Sequence, residues 1–177
     1  MTVRYYSSTD VGAPNNNATY STGYQNILYQ VLVTGYGSKP GAGWTRIDHV
    51  ANSYSVFRMN AGSGACVRFS YAETGNSWTV GTMCGGTEWV NNTIGMKNQF
   101  PPRTRLANGL SYMYTGNGNG AWEIYASETF IMILAVTSGQ VAGSHVAFFG
   151  DIIPFNSSDS RACVIGGNAC ALQRPAK

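Results

Sequence analysis

Residues 33–44 read VTGYGSKPGAGW, and this stretch decides how the rest of the chain can fold. It separates an apolar run with helical spacing from the first run that has the character of a β-strand. Its glycines alternate with aromatic and flexible residues, and glycine is the residue that supplies φ > 0 or a close backbone approach. We therefore expect a tight connector here, with an unusual backbone at several points.

The run before this connector has the spacing of one short helix. The apolar residues that fall on a single stripe of 3.6-residue period are Ile27, Leu28, Val31 and Leu32. Ser21 or Thr22 can cap the start of such a helix, and Gly35 stands where it would end. Because several residues of this run are β-branched, a strand is the alternative.

Residues 1–22 are predicted to form an extended N-terminal arm. Within them, residues 10–17 read DVGAPNNN, which is rich in turn formers and has no apolar period. Such a segment cannot bury enough apolar area to fold by itself, so we expect neighbouring subunits to order it. Residues 23–177 are predicted to form a single β-rich domain.

The sequence after Trp44 alternates between strand-like runs and turns. The predicted strands cover residues 54–59, 65–71, 78–84, 121–126, 129–136 and 145–154, and the fourth and fifth of them form a hairpin. In the second strand, Val67 and Phe69 point to one face, and Cys66 and Arg68 point to the other. The predicted fold class is mainly β: a single compact antiparallel domain, sandwich or barrel-like, with one short N-terminal helix.

The composition is typical of an all-β protein that is buried against neighbours. Charged residues make up only 11% of the chain, well below the quarter that is usual for soluble domains. Glycine, with 22 copies, and tyrosine, with 11, are abundant. The net charge of +3 is small and the arginines form no run, so we expect no nucleic-acid partner.

The sequence predicts neither a membrane span nor an export signal. The longest apolar run, Phe130–Val136, suits a buried strand and falls far short of the length of a membrane span. Residues 1–8 are polar and lack the apolar region of a signal peptide. We therefore expect the chain to fold in a cytoplasm.

Few residues suggest catalytic chemistry, and we expect neither an enzyme nor a metal or other cofactor. The histidines and cysteines lack the spacing of a zinc site. Glu123 and Glu128 are the obvious carboxylate pair for glycosidase-like work, but they flank the predicted hairpin and are expected to brace it. Spacing alone permits a nucleophilic pair of Cys84 with His49 or His145. We favour small buried thiols and hydrogen-bonded histidines.

Aromatic side chains are the best candidates for binding a partner. Those predicted to anchor a subunit interface are Tyr5, Tyr6, Tyr20, Tyr24, Tyr36 and Trp44. The alternative is a carbohydrate platform that uses the tryptophans: Trp44, Trp78, Trp89 and Trp122. We favour the interface, because an irregular arm is not a rigid scaffold for sugar recognition.

A disulfide is predicted near the end of the sequence. Gly166-Gly167 suits the two-residue loop of a hairpin, because glycine adopts φ > 0 at no steric cost. Such a turn would place Cys163 opposite Cys170, with Cα atoms about 4.5–5.5 Å apart, which a disulfide can span. Two free thiols are the alternative, and the bridge would form only in an oxidising medium.

Four phrases of the sequence occur in an order that resembles one group of proteins. They are YYSSTDVGAP (residues 5–14), GYGSKPGAGWT (residues 35–45), YSVFR (residues 54–58) and FFGDIIPF (residues 148–155). Together they resemble small virion structural proteins of tailed bacteriophages. The resemblance implies a place on a virus particle, and it implies no catalytic residue.

We interpret the chain as a capsid decoration or cement protein, assembled in the cytoplasm of a bacterial host. Its expected partners are the major capsid protein and copies of itself, with a trimer favoured, and neither nucleic acid nor a membrane. The alternative is a receptor-binding or adaptor module at the phage tail tip or fibre. The chain shows neither the heptads nor the repeats of a fibre stalk.

Overall fold

The computed structural model describes residues 2–15, 20–71, 79–100, 110–115, 121–136, 144–152 and 162–168. Within these residues the elements are β1 (Arg4–Ser7), α1 (Tyr20–Tyr29), β2 (Thr45–Val50), β3 (Tyr54–Arg58), β4 (Cys66–Tyr71), β5 (Thr79–Gly86), β6 (Glu88–Asn91), β7 (Gly95–Lys97), β8 (Leu110–Thr115), β9 (Trp122–Ser127), β10 (Phe130–Val136), β11 (Ser144–Ile152) and β12 (Ala162–Asn168). A π-helical turn, Gln30–Thr34, continues α1 into the connector.

The strands form antiparallel sheets. Sheet 1 has the order β1-β9-β10-β11-β12, and sheet 2 has the order β2-β3-β4-β5-β8. β6 and β7 form a separate two-stranded ribbon. The antiparallel, mainly β fold class predicted from the sequence is confirmed, and so is the hairpin of β9 and β10, in which Ser127 pairs with Phe130.

Facing sides of the two large sheets share one hydrophobic core with the helix. Its buried members include Ile124, Ile133 and Phe149 from sheet 1 and Phe57, Val67 and Phe69 from sheet 2. The predicted helical stripe is buried in the same core: Ile27, Leu28, Val31 and Leu32. The helical conformation of Tyr20–Tyr29 and Gln30–Thr34 confirms the helix over the strand alternative. Two sheets that face each other across one core form a β-sandwich.

The other face of sheet 2 is covered by the ribbon. Tyr54 and Cys66 pack there with Met96 of β7 in a second, smaller core. Strand β4 is therefore buried on both faces, because Val67 and Phe69 lie in the main core and Cys66 lies under the ribbon. The alternation predicted for this strand is confirmed.

Residues 33–44 turn the chain back over the end of the helix. Gly35 ends the helical segment with a φ of 79°, as expected from the sequence. The N–H groups of Ala42 and Trp44 then donate to the carbonyl oxygens of Val31 and Leu32, at 2.8 and 2.9 Å. A helix leaves such carbonyl groups unpaired at its C-terminal end. The connector therefore caps the helix that precedes it.

The predicted N-terminal arm is wrong for the residues that the structure describes. β1 pairs with β9 at the edge of sheet 1, with Tyr6 opposite Ile124. The side chain of Tyr6 is fully buried in the main core. The helix already begins at Tyr20, so Ser21 and Thr22 lie inside it and cannot cap it. The arm was inferred from missing apolar periodicity, but a short edge strand needs only one deeply buried side chain.

The predicted turn at Gly166 and Gly167 is also wrong. Both residues lie within β12, where they pair with Phe148 and Ala147 of β11. A glycine can form backbone hydrogen bonds to β11 like any other residue. In β12, strand pairing therefore outweighs the preference of glycine for turns.

Candidate functional site

A polar cluster joins the start of the chain to the connector. Oδ2 of Asp10 accepts hydrogen bonds from the Tyr36 hydroxyl at 2.7 Å and from the Lys39 ammonium at 2.6 Å. The backbone N–H of Ser7 donates to the same oxygen at 2.8 Å. Tyr36 and Lys39 reach one oxygen together because they exchange two backbone hydrogen bonds of 2.9 Å across a two-residue turn.

The electrostatics of this cluster favour a structural role over that of an acid–base pair. Burial raises the pKa of Asp10, but the hydrogen bonds from Lys39, Tyr36 and Ser7 outweigh it, so this pKa lies below its ordinary value. Burial and the hydrogen bond to Asp10 raise the pKa of Tyr36 far above its ordinary value. Near neutral pH the carboxylate is therefore ionised and the phenol neutral, and neither group is poised to exchange a proton.

The backbones of the two segments also touch. A Cβ on Gly37, which has a φ of 54°, would collide with the carbonyl oxygen of Val11. On the other side of the connector, the Tyr6 hydroxyl donates to the carbonyl oxygen of Pro40 at 2.7 Å. The phrases YYSSTDVGAP and GYGSKPGAGWT are therefore in direct contact.

The phrase FFGDIIPF makes a similar contact with the loop that follows YSVFR. The Asp151 carboxylate accepts hydrogen bonds from the Ser63 hydroxyl at 2.6 Å and from the Ser63 N–H at 2.7 Å. A Cβ on Gly62 would collide with this carboxylate. The contact ties β11 of sheet 1 to the β3–β4 loop of sheet 2, so it holds the two layers of the sandwich together.

Most of the predicted interface anchors are core residues. The buried ones are Tyr6, Tyr24, Tyr36 and Trp44. The indole N–H of Trp44 donates to the carbonyl oxygen of Ser127 at 2.6 Å, which satisfies its polar atom inside the protein. The structure contradicts an interface role for these four. Tyr5 is 41% exposed, and the side chain of Tyr20 is outside the described part of the chain.

The nucleophilic pair of Cys84 and His49, which spacing alone permitted, is not assembled. Cys84 shares a cross-strand row with Arg68, and that row faces the ribbon. His49 pairs with Ser55, whose row continues to Phe69 in the main core. The two side chains therefore point to opposite faces of sheet 2. His49 Nδ1 lies 3.0 Å from the Ser55 hydroxyl oxygen, and the side chain of His145 is outside the described residues.

The two candidate glutamates stand at opposite ends of one hairpin strand. Glu123 lies in β9 opposite Leu134, and Glu128 follows the end of that strand. A rise of about 3.3 Å per residue places the Cα atom of Glu123 roughly 13 Å from that of Ser127, the residue before Glu128. The Glu128 side chain lies against Gly43, where a Cβ would be 3.1 Å from its Cγ. This placement does not support a close pair of catalytic carboxylates.

Cys66 and Cys163 are free thiols with raised pKa values. Burial raises the pKa of Cys66, and burial together with the charge of Asp151 raises that of Cys163 to about 12. Asp151 is also the residue opposite Cys163 in the strand pair. Cys170 lies outside the described residues, so the Cys163–Cys170 disulfide stays a prediction without the turn on which it was based.

Among the described residues, no three His, Cys, Asp or Glu side chains lie close enough to hold a metal ion. In the same part of the chain, no helix has the length and apolar character to cross a membrane.

A second polar cluster, which the sequence did not reveal, ties the ribbon to sheet 2. Oδ2 of Asp48 accepts hydrogen bonds from the Tyr54 hydroxyl at 3.1 Å and from the Trp89 indole at 2.8 Å. The Arg68 guanidinium lies 4.6 Å from the ring centroid of Tyr54 and 5.9 Å from that of Trp89. These residues come from four different strands, so no local spacing could have grouped them.

The tryptophans do not form a common platform. Trp44 and Trp122 are buried in the main core, and Trp89 is held by Asp48 at the ribbon. Trp78 lies outside the described residues. Among the described tryptophans, Trp89 alone is partly exposed.

The broadest candidate for a functional surface is the outer face of sheet 1. Its cross-strand rows carry the apolar side chains of Tyr5, Tyr125, Phe130, Met132, Leu134, Val146, Phe148 and Ile152. Val146 is 40% exposed and Ile152 51% exposed, and the inner members of the face are partly exposed. The rings of Phe130 and Phe148 stack with centroids 6.0 Å apart.

This face breaks the usual pattern of an antiparallel sheet. One side of such a sheet normally packs on the core and the other is polar toward water. Strand β10 buries Ile131 and Ile133 on the core side, but its outward residues Met132 and Leu134 are apolar as well. Among the described residues of the outward rows, Glu123 is the one charged residue. The strand that was predicted to be buried is therefore buried on one face only.

In comparisons with known proteins, the chain matches no family model, no curated protein and no solved structure.

Proposed function

We propose that this chain is a structural subunit of a tailed-phage virion. In this role it is a capsid decoration or cement protein that bridges neighbouring major capsid subunits and works as a homo-oligomer. The observation that carries the proposal is the apolar outer face of sheet 1, because large exposed apolar patches on folded domains mark sites of protein contact.

The physical logic follows from the surface and from the shape of a capsid. A capsid lattice repeats around local symmetry axes and is under tension from the packaged DNA. Each square ångström of apolar surface removed from water contributes about 25 cal/mol of stabilisation. A small rigid domain that buries apolar surface between copies therefore adds cohesion to the lattice. The low content of charged residues limits the cost of desolvating such contacts.

The contacts between the sequence phrases support the resemblance on which the virion assignment rests. Glycine-rich phrases are unspecific one by one. In this fold, however, the first two phrases meet at Asp10 and Tyr36, and the last two are joined by Ser63 and Asp151. The phrases therefore act together as contacts that hold the sandwich closed. Such a set is typical of a shared fold, and it does not indicate a catalytic site.

The alternative proposal is a receptor-binding or adaptor module at the tail tip or fibre. One observation favours it: Trp89 is partly exposed on the ribbon and its indole is fixed by Asp48. A fixed aromatic side chain is a suitable surface for a sugar ring. Because a single partly exposed tryptophan is a much smaller surface than the outer face of sheet 1, we rank this function second.

Imaging of purified particles distinguishes the two proposals. A decoration protein should be present in many copies distributed over the capsid, as seen by electron microscopy of virions that carry a labelled chain. Particles assembled without the protein should lose DNA more readily on osmotic shock, while their tails remain intact. Label confined to the tail would instead establish the alternative, and a chain absent from purified virions would contradict both.

A further inference from the structure

We propose that the outer face of sheet 1 is the contact between two copies of this chain, packed face to face about a two-fold axis. The inference deepens the proposed function and rests on the homo-oligomer named there. It concerns the protein in solution, so it stands or fails separately from the presence of the chain on a particle.

The size of the face fits a stable dimer. Its five strands, spaced about 4.8 Å apart and about seven residues long at 3.4 Å per residue, cover roughly 24 by 24 Å in projection. A standard protein interface buries about 800 Å² on each partner. The projected area of the face is therefore on the scale of one interface of this kind.

The shape of the face also suits a second sheet. Sheets pack face to face about 10 Å apart when side chains of both inner faces are apolar and interdigitate. Strand β10 presents Phe130, Met132 and Leu134 outward, and strand β11 presents Val146 and Phe148 beside them. These side chains are as apolar as those on the core side of the same strands. Two such faces, one from each copy, would form an apolar layer between the two copies of sheet 1.

The charges favour an identical partner over a different one. A charged partner would require several residues of opposite charge on this face. In the described outward rows, however, Glu123 is the one charged residue. Face-to-face contact of two copies thus brings no cluster of like charges together. Glu123 lies in β9, one strand in from the edge of sheet 1 and opposite Ser7 at the end of β1, so its carboxylate is near the rim of the face. A second copy is also present wherever the protein is made.

A two-fold contact makes a definite statement about stoichiometry. The same surface is used by both copies, so pairing through it closes on itself. It predicts two copies in solution, or an even number if a second contact is added. The trimer favoured from the sequence contains no such closed pair.

Sedimentation velocity and light scattering of the purified protein over micromolar concentrations test the inference. We expect the mass of two copies for the unchanged chain. Met132→Glu, which places a charge at the centre of the face, should weaken the dimer at least tenfold. Val146→Lys changes a residue that is already 40% exposed, so it should do the same without disturbing the fold.

Ile94→Glu is the matched control. Ile94 is an apolar residue that is 59% exposed in the turn of the ribbon, away from sheet 1, so this variant should remain dimeric. Thermal unfolding verifies that each variant is folded. A monomeric or trimeric unchanged chain, a dimer that survives both Met132→Glu and Val146→Lys, or a dimer broken equally by Ile94→Glu would overturn the inference.

Discussion

The hydroxyl group of Tyr36 donates a 2.7 Å hydrogen bond to the Asp10 carboxylate, 26 positions earlier in the sequence. This bond fastens the turn after β1 to the connector after the helix. Hydrogen bonds to a charged group are stronger than those between neutral groups. A four-residue edge strand with one deeply buried tyrosine is therefore held in sheet 1 by a charge-assisted contact next to it.

Asp10→Asn should lower the free energy of unfolding by about 1–2 kcal/mol, because it removes the charge from an acceptor with three donors. Glu88→Gln is the control. Glu88 forms a 2.7 Å ion pair with Lys97 in which both side chains are well exposed, so its loss should change stability by less than about 0.5 kcal/mol. Urea unfolding measures the free energy of unfolding of both variants. Equal losses would show that the contacts of Asp10 contribute no more than an exposed ion pair.

The contribution of Asp10 should depend on pH in a defined direction. Its pKa in the folded protein lies below the value of about 3.9 in an unfolded chain. The stabilisation is therefore complete above about pH 4 and is lost as the pH falls through the folded pKa. The stability difference between the unchanged chain and Asp10→Asn should stay constant from neutral pH to about pH 5 and shrink below pH 4. A difference that grows under acid would have the wrong sign.

Gly37→Ala should destabilise the protein more than Gly64→Ala. Both glycines have positive φ, 54° and 68°, so both substitutions carry the cost of about 1–2 kcal/mol of a left-handed backbone. A Cβ on Gly64 meets no atom within 4 Å, whereas one on Gly37 collides with the Val11 carbonyl oxygen. Thermal unfolding of the two variants isolates the collision. Similar midpoints would mean that the two segments can separate without cost.

The variants Tyr36→Phe and Tyr5→Phe test which of the two tyrosines stabilises the core and which lies at the surface. The Tyr36 hydroxyl is buried and bonded to Asp10, so its removal should cost about 1–2 kcal/mol of unfolding free energy. Tyr5 is 41% exposed, and its ring packs against that of Tyr125 at a tilt of 41°, a contact that phenylalanine retains. Tyr5→Phe should therefore stay within about 0.5 kcal/mol of the unchanged chain. Denaturant titration measures the loss of unfolding free energy in both variants. A larger loss for Tyr5→Phe than for Tyr36→Phe would contradict this assignment.

Cys66 and Cys163 should resist alkylation in the folded protein. Burial raises the pKa of both thiols, that of Cys163 to about 12, so at pH 8 each is protonated, and Cys66 is also buried in the second core. Peptide mapping after iodoacetamide treatment should find them labelled only when urea is present. The same maps, made without reductant, would reveal a Cys163–Cys170 peptide if the predicted disulfide forms.

Local periodicity explains which elements could be predicted from the sequence. The helical stripe around Leu28 and the alternation of Val67 and Phe69 are repeated signals within a few residues, and the structure confirms both. The glycines of the connector were informative because the backbone there has positive φ, as at Gly35 and Gly37. Where the sequence constrains conformation locally, it also predicts structure.

Long-range partners explain what could not be predicted. β1 has no periodic signal, because its place depends on a single buried tyrosine, Tyr6, and on the distant strand β9. Tyrosine itself serves equally well in a core or at an interface, so its abundance could not separate Tyr6 and Tyr36 from Tyr5. The cluster of Asp48 and Trp89 likewise joins two strands that only the folded chain brings together.

The pairing of β1 with β9 has a consequence for synthesis of the protein. The Trp122 N–H donates to the Ser8 hydroxyl across 114 positions of the chain. At a translation rate of roughly 5–20 residues per second, β1 leaves the ribosome about 6–23 s before its partner strand exists. During that interval β9 is absent, so Tyr6 cannot be buried opposite Ile124 in the main core. The strand made first is thus among the last to be placed, and a nascent chain arrested before residue 122 should expose β1 to protease.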